Sequence, residues 1–414
     1  MRTFMLSHLT KKNTLEIAHK HLIPARLDAF SSFGVELVIG RREGYRIWDL
    51  DGHELMDLHL NGGTFNLGHR NKELCDLLKE GLDYLDIGNH HFASPERAKL
   101  AKRLSELSPG ELQYTVFASS GSEAVDIAIK SARQATGKRK IISLSSGYHG
   151  RTGLSGAAGN DEAAQFFNSA YPDEFITVPF NDLDAMATAL ASNDIAAVLI
   201  ETIPATQGFL SPIDNYHLKV KQLCERHGAL YVADEVQTGL GRSGCLWAIE
   251  KYNVEPDIMV IGKGLSGGIY PIAAAMLSAK VGQWLTESGW GHVSTFGGAE
   301  LGCLVANRVL EICSDSSVMA IVDANQSYLR EKLELLKAQY PLLSEIHQCG
   351  LVFGLKFDQD DGGIEMMRAL YKHGVWAIFA GFDTSILQFK PGLLIDRAFC
   401  DELMTRFEKA LQEL

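Results

Sequence analysis

Apolar positions along the 414-residue chain change their spacing several times, and each change marks a predicted element. A helical piece is expected over roughly 14–32, followed by short strands such as Tyr45-Arg46-Ile47-Trp48-Asp49, turning at Asp51-Gly52. From about 70 to 108 the spacing is helical again. Leu74, Leu77, Leu78 and Leu82 share one face, as do Leu100, Leu104 and Leu107. Short apolar runs then alternate with helical stretches. The runs Tyr114–Ala118, Ile141–Leu144, Phe175–Val178, Ile195–Ile200, Leu230–Ala233, Ile258–Ile261 and Ile272–Leu277 read as buried strands, with helices notably at 122–135 and 215–227. Such alternation implies a largely parallel sheet covered on both faces. Beyond about 300 the pattern gives helices at 301–313 and 318–338, strands near 351–357 and 386–390, and a terminal helix from about 397.

The expected architecture is therefore α/β with two units. Residues 61–300 form a large unit around the parallel sheet, 301–414 a smaller α+β unit, and 1–60 an N-terminal segment joining the smaller one. The length supports this division, since 414 residues exceed one ordinary domain.

Composition narrows the function classes. A net charge of −12 argues against nucleic acid or an anionic membrane as partner. Basic residues are dispersed, and the longest cluster, Lys138-Arg139-Lys140, reads as a solvated turn before a strand. Seven cysteines at wide spacing, without C-x-x-C, fit buried free thiols better than disulfides or a metal site. His90-His91 has no matching ligand set nearby, so no metal is expected. No apolar stretch approaches the roughly 20 residues that span a bilayer. At the N-terminus, residues 1–8 run into Lys11 and Lys12 before a signal-type core develops. A cytoplasmic enzyme is the expectation.

The chemistry gathers at strand ends, where open parallel sheets bind ligands. Lys263 follows the apolar run Ile258–Ile261 and precedes a small-residue turn. Burial there would disfavour its ammonium form and make the amine nucleophilic toward an aldehyde. Asp234 ends another apolar run and needs a partner. A pyridinium N–H would be one; about 4 Å away at an effective dielectric near 20, the pair gains on the order of 4 kcal/mol. The blander readings are a helix cap or a pair with Arg242. Ser120, Gly121 and Ser122 lie between a strand and a helix, where a phosphate would fit, or where Ser120 or Ser122 simply caps. Tyr148 could stack on a flat ring and Val236 press its other face, or Tyr148 could be a surface aromatic. Glu201, at a further strand end, could pair with a lysine. Lysine and aspartate on two buried strand ends are the protein half of a pyridoxal phosphate site.

The motifs resemble the class III, fold type I pyridoxal-phosphate aminotransferases, of the acetylornithine, ornithine and 4-aminobutyrate kind. The likeness runs over nearly the whole chain. It includes Gly44-Tyr45-Arg46-Ile47-Trp48-Asp49-Leu50-Asp51-Gly52, Leu67-Gly68-His69, Ser120-Gly121-Ser122-Glu123-Ala124 and Tyr148-His149-Gly150-Arg151-Thr152. It continues through Ala233–Gly244, Pro256-Asp257 to Lys263-Gly264, and His292–Gly298. The resemblance implies Lys263 as the residue forming an imine (Schiff base) with the cofactor aldehyde. It also implies Asp234 at the ring nitrogen, Gln237 at the ring hydroxyl, Ser120, Gly121 and Ser122 at the phosphate, and Tyr148 and Val236 on the ring faces. Thr295 would reach the phosphate from a neighbouring subunit, which implies a homodimer or a dimer of dimers.

Two departures stand out. Relatives resembling ornithine aminotransferase carry a second glutamate five positions after the Glu201 equivalent, paired with a C-terminal arginine. Here those positions are Thr206 and Gln388. A neutral glutamine cannot make the bidentate charged contact with an α-carboxylate. Lys390 is expected to point to the face opposite Gln388, which makes it a doubtful substitute. Arg151 remains for a substrate carboxylate, with Glu201 and Gln388 as further substrate contacts. The expected activity is transfer of an amino group from an amine, ω-amino or amino-acid donor to a keto acid or aldehyde. A dialkylglycine-type decarboxylase or amino-acid epimerase on the same fold is the alternative. A retired scaffold with a binding or regulatory role is the reading from another class.

Overall fold

The computed structural model describes residues 9–166 and 173–414. The expectation for residues 1–8 falls outside the described residues.

A seven-stranded sheet forms the centre, in the order Tyr114–Ala118, Ala273–Leu277, Ile258–Ile261, Leu230–Asp234, Ile195–Glu201, Lys140–Leu144, Phe175–Val178. The last five of these are parallel to one another. Ala273–Leu277 runs antiparallel to both of its neighbours. The link between Ile261 and Ala273 is only residues 262–272, containing the 3-10 turn Lys263–Ser266, and a parallel return needs a crossover of a dozen or more residues. Strand residues alternate between two cores. Leu199, Val232, Val260 and Ala275 face the helix Gly121–Thr136, which contributes Val125, Ile127, Ala128 and Ala132. Val198, Tyr231, Met259 and Met276 enter the main core on the other side. Burial on both faces is what makes these strands continuous apolar runs in the sequence.

Two four-stranded sheets flank this layer. One, of Ile39–Glu43, Arg46–Asp49, Glu54–Asp57 and Val375–Trp376, joins the N-terminal segment to the C-terminal part through the parallel pair Met56↔Val375. The other contains Leu343–Cys349, Val352–Phe357, Asp383–Phe389 and Ile378–Ala380.

Several expectations need correction. The single helical piece at 14–32 is two helices, Lys11–His21 and Pro24–Ser32, because Pro24 has no N–H to continue the first and suits the start of the second. The helical region from 70 to 108 divides into Lys72–Gly81 and Pro95–Leu107. Strand Leu343–Cys349 and helix Gly362–Lys372 carried no clear signal. The Lys138 cluster is not simply solvated: its Nζ donates to the carbonyls of His227 and Gly228, at 2.8 and 2.9 Å, at the C-terminal end of helix Tyr216–His227. All seven cysteines are free. Among the described residues no helix is long and apolar enough to cross a membrane.

Candidate active site

The carboxyl ends of the parallel strands converge. Glu201 and Asp234 are register partners on adjacent strands, and Lys263 follows the next strand through Gly262. A cavity of about 190 Å³ is lined by Gly121, Ser122, Tyr148, Glu201, Val236 and Gln237, together with Asp234 and Lys263. A second hollow of about 280 Å³ shares Gly121 and Lys263 and adds Ser120 and Thr64.

Lys263 has φ 42°, a left-handed conformation that costs a non-glycine residue about 1–2 kcal/mol. The strain aims a partly buried amine into the cavity. Burial pushes its pKa down from the usual lysine range, and the Asp234 and Glu201 carboxylates oppose that shift. Gly62, with φ 69°, passes directly over this side chain. A Cβ there would lie 3.0 Å from Lys263 Cε and 3.5 Å from Gln237 Oε1.

Asp234 neither caps a helix nor meets Arg242. Its Oδ2 lies 2.7 Å from Nδ1 of His149, and its Oδ1 accepts the Val236 N–H at 3.0 Å. His149 was missed by sequence reasoning, although a buried aspartate demands a partner and this histidine sits beside Tyr148 after another strand, Lys140–Leu144. Arg242 is instead fully buried, donating to Asn66 Oδ1, Leu351 O and Pro391 O.

Glu201 does not pair with a lysine. Its carboxylate accepts the N–H groups of Tyr148 at 2.9 Å and Ala205 at 3.3 Å. Burial pushes its pKa up to about 7; His149 opposes the shift and Asp234 adds to it. Tyr148 is thereby held at the cavity wall.

At the helix Gly121–Thr136, Ser120 is the N-cap and accepts the Glu123 N–H at 3.2 Å. Among the described residues the cap leaves the Ser120 hydroxyl proton and the Gly121 and Ser122 N–H groups for an anion. A Cβ on Gly121 would come within 3.1 Å of Val236 Cγ1, so glycine lets backbone and Val236 approach closely. Arg151 is exposed, with its guanidinium 5.0 Å from the Tyr148 ring centroid, and its backbone N–H donates to Ser122 Oγ at 3.4 Å.

Three expected site residues line neither hollow, Arg151 among them. Thr295 is exposed and lines neither hollow. Gln388 is buried on strand Asp383–Phe389 and does not line the cavity either. Lys390 does not oppose Gln388: its Nζ donates to Gln388 Oε1 at 2.5 Å. Side chains two residues apart along an extended segment share a face, so the expected opposition was mistaken.

These groups suit a flat anionic aldehyde with a basic ring nitrogen. A lysine amine faces the cavity, a buried carboxylate keeps spare lone pairs, a valine and a tyrosine flank the space, and a helix start supplies N–H donors.

Comparison with known proteins is consistent with this geometry. The family model described as "Aminotransferase class-III" matches residues 30–411. An uncharacterized aminotransferase of Archaeoglobus fulgidus is 45% identical over 402 residues, covering 97% of this chain and 94% of that protein. The ornithine aminotransferase of Toxoplasma gondii, in a structure with partial occupancy of PLP at its active site, superposes with TM-score 0.87 at 25% identity, covering 99% of this chain and 96% of that one. A thermostable (S)-enantioselective ω-transaminase of Thermomicrobium roseum gives 0.86 at 26% identity, covering 98% and 99%.

Proposed function

The chain belongs to the class-III aminotransferases, which use pyridoxal phosphate, and from that premise we propose an enzyme that takes amines or ω-amino compounds as donors and a keto acid or aldehyde as acceptor. One observation carries the donor assignment. The two positions where a charged gate for an α-carboxylate would stand hold neutral groups already engaged, Thr206 with the Ser146 carbonyl at 3.1 Å and Gln388 with Lys390. The likeness to an ω-transaminase supports the same reading.

The cofactor supplies an electron-withdrawing ring and the carbon that carries the amino group between substrates. In this reading Asp234, steadied by His149, meets the ring N–H, and Gln237 meets the ring hydroxyl. Val236 and Tyr148 hold the ring faces. Ser120, Gly121 and Ser122 bind the phosphate. Lys263 Nζ holds the cofactor and carries a proton to and from the substrate carbon. Its lowered pKa suits it to both directions of transfer. Glu201 fixes Tyr148 through the backbone, and Arg151, beside the Tyr148 ring, would meet a substrate carboxylate.

The reading also includes a second copy of the chain. Phe92 and Trp290 are each 71% exposed, with Phe296 at 59% and Val293 at 51%, on the surface that carries Thr295. Monomers rarely leave such a face uncovered. In a homodimer Thr295 would complete the partner's phosphate site. Residues 61–300 and 301–414 are read as the large and small units, with 1–60 joining the latter.

A donor panel followed by cofactor absorbance tests the proposal. Amines and ω-amino compounds should discharge the absorbance while ornithine does not; rapid turnover of N-acetylornithine would overturn the donor assignment.

A further inference from the structure

Glu123 has attachments in two directions. Its Oε2 accepts the Ser119 N–H at 2.8 Å and the Ser119 hydroxyl at 2.6 Å. These bonds close the turn that leads from strand Tyr114–Ala118 into Ser120, Gly121 and Ser122. On the other side, its Oε1 lies 3.7 Å from His292 Nε2. Burial works against the Glu123 charge, but the Ser119 and Ser294 hydroxyls outweigh it and hold the carboxyl below its ordinary range.

Residues 292–298 are pinned to their own subunit at both ends. His292 Nδ1 is 3.0 Å from Lys130 Nζ. An ammonium can only donate, so this nitrogen accepts, and the ring proton sits on Nε2, toward Glu123. Burial and the Lys130 charge push the His292 pKa down while Glu123 opposes them, which suits a neutral ring. Nε2 is buried and makes no hydrogen bond among the described residues. A buried donor 3.7 Å from a carboxylate is a contact left to be closed. Ser294 Oγ accepts the Gly297 N–H at 3.1 Å. At the far end Arg97 donates to Gly298 O at 2.6 Å, and a Cβ on Gly297 would lie 2.6 Å from Phe117 O. Between these anchors His292 and Ser294 are partly buried, while Val293, Thr295 and Phe296 are exposed. Thr295 thus stands outward on a segment whose inward groups meet Glu123.

We infer that Glu123 is a positioning residue shared by two cofactor sites: through Ser119 it shapes the phosphate cradle of its own subunit, and through His292 and Ser294 it sets Thr295 for the partner's cradle. The inference rests on the homodimeric aminotransferase reading and adds a link between its two sites. By symmetry each cradle is shaped by its own Glu123 and completed from across the interface. Ordering one cradle then orders the loop that completes the other. The two cofactors therefore load cooperatively, the second about fivefold or more tightly than the first.

Mixed dimers with differently tagged subunits test this across the interface, without turnover. One subunit carries Lys263→Met and cannot hold pyridoxal phosphate covalently, so the absorbance of lysine-bound cofactor reports the wild-type subunit alone. Adding Glu123→Gln to the Lys263→Met subunit should speed cofactor loss from the wild-type subunit by about fivefold or more, and His292→Leu should do the same. Glutamine keeps the shape of Glu123 and an oxygen for Ser119, so that subunit should fold. His292→Gln, able to donate to Glu123 and accept from Lys130, should restore most of the retention. A role confined to the turn at Ser119 would leave the wild-type subunit unmoved. Thr295→Val in the Lys263→Met subunit probes the reading beneath. If it speeds the loss while Glu123→Gln and His292→Leu do not, the inference falls and the shared phosphate site stands. If Thr295→Val has no effect, or no mixed dimer forms, the homodimer reading falls and takes the inference with it.

Discussion

His149 Nδ1 and Asp234 Oδ2 stand 2.7 Å apart, both side chains buried, at the ends of two strands that are not neighbours in the sheet. The contact occupies Oδ2, while Oδ1 accepts the Val236 N–H. His149→Phe should leave Oδ2 without its donor and cost about 1–3 kcal/mol. Chemical denaturation would read the loss, and cofactor retention on dialysis, followed by absorbance, should weaken by about tenfold. Retention equal to wild type would show that the imidazole does not support Asp234.

Gly62→Ala probes the strap over Lys263. The new Cβ must adopt φ 69° and would meet Lys263 Cε at 3.0 Å. The backbone strain costs about 1–2 kcal/mol, and displacement of the amine by even a fraction of an ångström should lower kcat by about tenfold to a hundredfold. Steady-state kinetics beside a melting curve separates the two effects. A variant with unchanged kcat would mean that Lys263 has room to shift.

Glu201 gives a pH signature. Its folded pKa is about 7, against an ordinary value of 4.5. The raised value means that the folded chain binds this proton more tightly. Its contribution is complete below about pH 4.5 and is lost as pH rises through about 7. The difference, 7 − 4.5, corresponds to on the order of 3 kcal/mol at most. Glu201→Gln removes the titration. Its stability relative to wild type should therefore rise across that window in denaturation series run from pH 4.5 to 8; a constant offset would contradict the shift.

Arg242→Lys keeps the charge and loses the fork. Arg242 bridges Asn66, Leu351 and Pro391, three separate parts of the chain. A lysine cannot span them, so a loss on the order of 3 kcal/mol is expected by chemical denaturation. A smaller loss would mean that water replaces the missing donors.

Much of this was legible in the sequence because the central strands are buried on both faces. Leu230–Asp234 and Ile258–Ile261 have no polar residue before their functional ends, so both strand and site announce themselves. The strand Leu343–Cys349 did not, since its polar Ser344, Glu345, His347 and Gln348 are not fully buried and break the apolar run. Helix Gly362–Lys372 was hidden by the two glycines that open it. Partners across the fold were harder still. Nothing local in Tyr148-His149-Gly150 says that the middle residue meets Asp234.

The parallel pairing of Met56 with Val375 also sets an order for biosynthesis. The two residues are 319 positions apart, 375 − 56, so the strand Glu54–Asp57 leaves the ribosome long before its neighbour exists. At about 5–20 residues per second that interval is roughly 15–60 s, during which one edge of the first-made sheet stands open. A nascent chain of this protein therefore carries an unpaired strand that an exposed edge makes adhesive, and closure of that edge waits until residue 375 has been made.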